Sequence, residues 1–435
     1  MRVVGGTVGA TQPQLFARLS PRLPYAKLFP ELPISQMIAP SDCPEASLFL
    51  RLATTPPVTS SDWRLSRNSA HLPAWDRIIA LALAENAITV LHNRVSTLPP
   101  PLIPPEARAR IERLALIWGF KLRLLERRLI ESVAILSEAG IEVILLKGAA
   151  LAFTTYRGFV DRPMADIDLL VNPTKAQQAW ELMQRSGWVC DNSEQPEGAW
   201  NNHHHLPPLS DTLGSGLRME IHVAPLVSDN PFQMDFHEML ESSSELTIKG
   251  VRVRVPEPHI HAVHACIHFA WSHRFSGGRL NVFRDLAALH GAGTLSWAAL
   301  VEAAHRTRSE ACCYWTLRLA RALTSLPVPN EVLSELSPPL SERLLSVLEQ
   351  HISQLVLRSE CACPSVGLRD RLWALSLHVK RPRPVEPPRW RLLQDPDSDG
   401  SLRGPLRRVG AHILRAPRWS RYVASLLRPA FELSA

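Results

Sequence analysis

The run Ala165-Asp166-Ile167-Asp168-Leu169-Leu170-Val171 constrains this chain more than any other stretch. Its apolar residues read as a strand, and in a strand positions i and i+2 share a face. Asp166 and Asp168 therefore point the same way while Ile167 and Leu169 turn into a core. Two adjacent carboxylates repel unless a cation lies between them. Upstream, Ile144-Leu145-Leu146-Lys147-Gly148-Ala149 reads as the end of a strand, then a glycine turn that opens a helix. Carboxylate oxygens beside such a turn suit a Mg²⁺-nucleotide site, with the metal on the carboxylates and the phosphates on the turn.

The hydrophobic period differs on either side of this unit. Ile78, Ile79, Leu81, Leu83, Ile88 and Leu91 predict a helix from Trp75 to about Arg94. After a break at Pro99–Pro105, a longer helix is expected over Glu106–Glu138, carrying Lys121, Arg123, Arg127 and Arg128. Gly140 closes it. Next come an expected strand at Ile141–Leu146, a helix at Gly148–Tyr156, a strand at Asp166–Val171 and a helix at Thr174–Ser186 capped by Thr174. Trp188–Cys190 reads as a short strand, and His204–Leu209 with Leu217–Val223 as an antiparallel pair whose first member Pro207 and Pro208 confine to an edge. From Glu257 to about Leu357 the pattern is helical again, interrupted at Ser276-Gly277-Gly278 and Pro327-Val328-Pro329. The expected organisation is an arm at 1–45, a helical region at 46–138, a mixed α/β core at 139–256, a helical domain at 257–379 and a basic Pro/Arg-rich tail at 380–435.

With 46% hydrophobic and 20% charged residues, 435 residues can bury the cores of two or three domains. The tail holds 12 Arg and Lys against 5 Asp and Glu, which is the whole of the chain's net charge of +7. With Trp390, Trp419 and Tyr422 among its arginines it reads either as a solvated, partly helical tail or as a contact for nucleic acid or an anionic surface. Seven cysteines, odd in number and without a CxxC pair, argue against a disulfide framework or a zinc ribbon and fit a reducing cytosol. No apolar run reaches the length of a transmembrane helix, so a soluble cytoplasmic protein is expected.

A third carboxylate, Glu220, sits in Leu217-Arg218-Met219-Glu220-Ile221-His222-Val223. Burying it alone is costly, whereas facing the cations of Asp166 and Asp168 makes it reasonable; a pair with Arg218 or Arg162 is the other reading. With two metal ions about 3.5–4 Å apart, Asp166 and Asp168 bridge and Glu220 completes the set on the side of the attacking group. Lys147 either binds phosphate or caps the strand. Arg162 either clamps phosphate or pins the carboxylate strand through an ion pair. Contiguous histidines on a strand alternate faces, so His203, His204 and His205 are expected not to share one ion but to be edge or substrate-contact residues. His261, His264 and His268 fall on one helical face, without the Glu of a His-Glu-x-x-His motif, and read as core packing or as lining of the nucleotide cleft. Asp285 reads as a hydrogen-bonded structural carboxylate or an acceptor-site contact.

The order of strand, Leu-Lys-Gly turn and helix, then Arg162-Pro163-Met164-Ala165-Asp166-Ile167-Asp168-Leu169-Leu170, then Met219-Glu220-Ile221-His222, resembles a known group. It is similar to the uncharacterised bacterial nucleotidyltransferase family within the DNA polymerase beta-like nucleotidyltransferase superfamily. The resemblance spans roughly Ile141–Val223 and continues to His264, His268 and Arg284-Asp285-Leu286. It implies an α+β fold, a small mixed-sheet nucleotidyltransferase core flanked by N-terminal helices and a C-terminal helical domain. It further implies transfer of a nucleoside monophosphate from an NTP to an acceptor with release of pyrophosphate, and Mg²⁺ or Mn²⁺ as cofactor. Asp166, Asp168 and Glu220 then stand as catalytic and metal-binding residues, and Lys147, Gly148, Ala149 and Arg162 as nucleotide-binding. His205, His222, His268 and Asp285 stand at the acceptor side. The acceptor itself is not written in these motifs. The alternative is a degenerate member that binds nucleotide, nucleic acid or a protein partner without catalysis.

Overall fold

The computed structural model describes residues 49, 52–53, 74–98, 103–190, 203–212, 216–275, 280–324, 326–357, 363, 365–379, 419–424 and 426. The expected arm at 1–45 and most of the basic tail lie outside them. Among the described residues seven strands form one mixed sheet: β1 Val143–Leu145, β2 Asp166–Val171, β3 Trp188–Cys190, β4 Leu209–Asp211, β5 Arg218–His222, β6 Ser243–Ile248 and β7 Val251–Pro256. Their spatial order is β3-β4-β5-β2-β1-β7-β6. The pairs β2–β5 and β1–β7 are parallel and the others antiparallel. Helices precede and follow the sheet, which is the α+β arrangement expected.

Strand periodicity decides how the sheet is used. Ile167, Leu169 and Val171 of β2 and Met219 and Ile221 of β5 face one core. That core is shared with Leu122, Leu125, Leu129, Val133 and Leu136 of α3 (Pro105–Glu138) and with Ala176, Ala179 and Met183 of α5 (Ala176–Arg185). The alternate residues of β2 and β5 lie on the opposite face, where the polar side chains gather. Helix α3 is tied to the sheet edge as well: Trp188 Nε1 donates to Ser132 Oγ at 3.1 Å, and the Arg128 guanidinium lies 4.9 Å from the Trp188 ring centre. Of its basic cluster, Arg127 and Arg128 are both bound by Glu131.

Several elements differ from the sequence reading. The helix expected over Trp75–Arg94 is two helices, α1 Trp75–Ala84 and α2 Ile88–Val95, broken where Asn86 takes a positive φ of 52°. The buried Glu85 carboxylate at this break accepts from Leu280 N at 2.9 Å, so a tertiary contact overrides the helical pattern. Before α5, Asn172 rather than Thr174 is the cap, its side chain accepting from Thr174 N over a short 3-10 turn. The strand expected at His204–Leu209 is displaced to β4, which pairs with β5 from Leu209 onward; before it, His205 forms an isolated bridge to His222. The β6–β7 hairpin had no counterpart in the sequence reading.

Helix α6 Phe236–Glu241 precedes β6, and after β7 come α7 Pro258–Ile267, continued by a π turn at His268–Ser272, then α8 Asn281–Gly291, α9 Trp297–Arg306, α10 Glu310–Thr324 and α11 Asn330–Leu336. Further on, α12 Glu342–Val356 is joined to α10 by two 2.8 Å hydrogen bonds from Arg318 to Glu349. In the described piece of the tail Tyr422 is buried, with its hydroxyl 3.2 Å from His351 Nδ1. Its ring is therefore turned inward and does not join an exposed basic surface.

Candidate functional site

The parallel register of β2 and β5 sets Asp166 opposite Arg218, Asp168 opposite Glu220 and Leu170 opposite His222. Both strands carry apolar residues at the intervening positions, so their polar residues can only share the other face. The end of β1 is joined to the same place: Leu146 N donates to the Asp168 carbonyl at 3.1 Å. There the chain turns into α4, Lys147–Thr154, with Lys147 at a φ of +49°. A left-handed lysine is uncommon and costs about 1–3 kcal/mol, so the surrounding contacts must hold it. Its ammonium donates to Asp168 Oδ1 at 2.9 Å.

Asp168 Oδ1 also accepts from His222 Nε2 at 2.9 Å, and the same nitrogen lies 3.4 Å from Glu220 Oε2. One donor atom from each of Asp168, Glu220 and His222 lies within 4.8 Å of the others. Asp166 sits two residues earlier on the same face, and its charge acts on both Lys147 and Arg162. Burial alone would raise the pKa of Asp168, but the Lys147 charge and the His222 hydrogen bond outweigh it and hold the carboxyl well below its usual range. Burial likewise opposes the charged form of Lys147, and Asp168, Asp166 and Glu220 together push its pKa up. Burial is the largest influence on Glu220 and would raise its pKa, but the His222 hydrogen bond together with the charges of His205 and His222 lowers it. His222, fully buried, is raised by Asp168 and Glu220 against desolvation.

A second group adjoins the first. The chain bends at His203 and His204 instead of running as a strand, so the alternation expected of three contiguous histidines does not apply. Their ring centres lie 4.2 to 4.7 Å apart, and His205 Nε2 is 3.7 Å from Glu220 Oε2. Burial lowers the pKa of all three rings, His203 to about 4 and His204 to about 2.

Arg162 and Asp285 are brought together as a pair of their own, with Arg162 still within reach of the Asp166 charge. Arg162 Nε and Nη2 donate to the two Asp285 oxygens at 2.6 and 2.7 Å, while Nη1 donates to the Pro163 carbonyl at 2.7 Å. Tyr156 Oη adds a 3.0 Å hydrogen bond to Asp285. Gly148 lies directly beneath: a Cβ there would be 3.0 Å from Arg162 Nη1 and 3.3 Å from Met164 Cε. His264 Nε2 donates to the Pro225 carbonyl at 3.1 Å, and His261 is buried in the same helix. His268, in the π turn, packs edge-on to His273 at 4.4 Å and feels the charges of Lys147 and Asp168.

The model of a family described as uncharacterised nucleotidyltransferases matches residues 72–325, from the start of α1 through α10. The chain belongs to this family. Neither curated proteins nor solved structures give a match. The match takes in every described strand of the sheet and the polar face between β2 and β5. Clustered oxygen donors from Asp168 and Glu220 fit a hard divalent ion, with the Lys147 ammonium as their cation in the structure. The sequence singles out the carboxylates but not their partners. That Lys147 and His222 converge on a single oxygen was hidden, although the i, i+2 relation of Glu220 and His222 was a usable signal.

Proposed function

We propose that this chain is a divalent-metal-dependent nucleotidyltransferase of the DNA polymerase beta-like superfamily, moving a nucleoside monophosphate from an NTP to an acceptor. The observation that carries this reading is the in-register pairing of Asp168 with Glu220 on parallel strands, with Asp166 on the same face, beside the turn that opens α4. Asp166, Asp168 and Glu220 would hold Mg²⁺ or Mn²⁺. When bound, such an ion supplies positive charge to the phosphates and lowers the pKa of the attacking hydroxyl.

The chain's own groups account for the rest. Lys147 and His222 hold Asp168 ionised and fixed in orientation. Lys147, with the backbone of Gly148 and Ala149 at the start of α4, presents positive charge and amides to the phosphate chain. An acceptor oxygen attacks the α-phosphorus, the bridge to the β-phosphate breaks, and pyrophosphate leaves with that electron pair. Glu220, the half-exposed member of the set, takes the acceptor's proton. His205 and His222 border Glu220 and form the acceptor side, with His268 beyond them. Arg162 has its donors engaged by Asp285 and Pro163, which supports a positioning role for the pair over direct phosphate contact. Among the described residues five cysteines, Cys190, Cys266, Cys312, Cys313 and Cys363, are free, in keeping with a reducing cytoplasm.

One observation favours a second reading. Lys147 already neutralises Asp168, as in a degenerate site that retains nucleotide, nucleic-acid or protein binding without transfer. The two are separated by incubating the protein with NTPs labelled at the α-phosphorus, Mg²⁺ or Mn²⁺ and cell extract. Label on an extract component with wild type but not with Asp166→Asn/Asp168→Asn protein supports transfer. Metal-dependent NTP binding with no labelled product supports the second reading.

A further inference from the structure

We infer that His203, His204 and His205 form a second metal site, an imidazole site for a borderline transition-metal dication of the Zn²⁺ class, abutting the carboxylate centre at Glu220. Four observations lead there. One ring nitrogen from each histidine lies within 4.8 Å of the others, although the three are consecutive in sequence. Only the bend at 203–204 allows this, because an extended backbone would send His204 to the other face. His205 Nδ1 donates to the Leu206 carbonyl at 2.7 Å, which fixes the tautomer and leaves Nε2 as the atom with the lone pair. A backbone carbonyl on the far nitrogen is the usual support of a metal-binding imidazole. Finally, His204 Nδ1 is buried and has no hydrogen-bond partner among the described residues. Burying such a nitrogen unpaired is unfavourable, and a metal bond removes the penalty.

The donor chemistry selects the ion. Imidazole nitrogens suit Zn²⁺, Co²⁺, Ni²⁺ and Cu²⁺, whereas Mg²⁺ keeps to oxygen ligands and water. Metal–nitrogen bonds of about 2.0–2.1 Å would draw in the three nitrogens, which lie within 4.8 Å of one another, with the exposed His203 ring shifting toward the other two. Glu220 is placed to border this ion as well, since His205 Nε2 lies 3.7 Å from its Oε2. The backbone bridge from His205 to His222 carries the site directly onto β5. A metal there clamps the segment leading to β4 onto the strand that carries Glu220, and places a further positive charge beside that carboxylate.

Metal-free full-length protein titrated with Co²⁺ tests this, with the visible absorption of bound Co²⁺ as readout. The account expects one saturable band, displaced by Zn²⁺ and unaffected by excess Mg²⁺. His203→Ala and His204→Ala, at the bend and outside any strand, should each weaken Co²⁺ binding at least roughly tenfold with an unchanged circular dichroism spectrum. Asp168→Asn should keep the band. Absence of a band in wild type overturns the site. So does a band that survives both histidine substitutions, or one that Asp168→Asn abolishes while the histidine variants retain it. Nucleotide transfer is not read in this experiment, so its failure leaves the proposed activity standing.

Discussion

The guanidinium of Arg162, four residues before Asp166, and the carboxylate of Asp285 in α8 meet through two hydrogen bonds of 2.6 and 2.7 Å across 123 positions of sequence. Both side chains are buried, so each charge depends on the other. Removing one partner of such a pair costs about 3–5 kcal/mol because the remaining charge stays buried. Asp285→Ala should therefore lower the unfolding free energy by about that amount in urea titrations, and a loss below about 1 kcal/mol would contradict the pairing.

Gly148 is required by the same pair. The Arg162 head is pinned by Asp285, so it cannot retreat from a Cβ placed 3.0 Å from Nη1. Gly148→Ala should destabilise by about 1–3 kcal/mol through overpacking. Gly291→Ala, where nothing lies within 4 Å, serves as the control and should be close to neutral in the same measurement.

In the proposed function, Lys147 and a divalent ion would compete for the same oxygens. Its ammonium lies 2.9 Å from Asp168 Oδ1 and is held charged by Asp168, Asp166 and Glu220. Lys147→Gln removes the competitor and leaves the carboxylates uncompensated. Mn²⁺ titration followed by electron paramagnetic resonance should show several-fold tighter metal binding in this variant, with weaker NTP binding. Weaker metal binding would show that Lys147 supports the ion instead of opposing it.

His264 gives the fold a dependence on pH. Burial, with the charges of Lys147 and His261, lowers its pKa to about 3, although Pro225 accepts its hydrogen bond. In the unfolded chain it titrates near 6.5. Below that pH the unfolded state binds the extra proton, so stability falls as pH drops from about 6.5 toward 3, by up to about 1.4 kcal/mol per unit. His264→Gln can still donate to Pro225, and its denaturation midpoint should fall less steeply between pH 6.5 and 5.

How much of this was legible in the sequence depends on the range of the interactions. β2 is read correctly to the residue, because its apolar alternation and its two carboxylates are local. The Glu220 strand is legible for the same reason. Val251-Arg252-Val253-Arg254-Val255 alternates just as strongly, and Lys249-Gly250 makes the tight turn with φ of +47° and +87°, yet the lysine does not advertise a hairpin as asparagine would. The strand geometry expected of the three histidines does not hold, because the chain bends at His203 and His204. The choice between phosphate clamp and ion pair for Arg162 could not be made locally, since its partner lies in another element.

Asp166, Asp168 and Glu220 are proposed to serve transfer of a nucleoside monophosphate. The most direct test supplies NTP labelled at the α- or the γ-phosphorus in parallel reactions with Mg²⁺ or Mn²⁺ and cell extract. The account predicts α-label on an acceptor, γ-label only in pyrophosphate, and neither product with Asp168→Asn. Label moving from the γ-position to an acceptor, or full activity in Asp168→Asn, would contradict it.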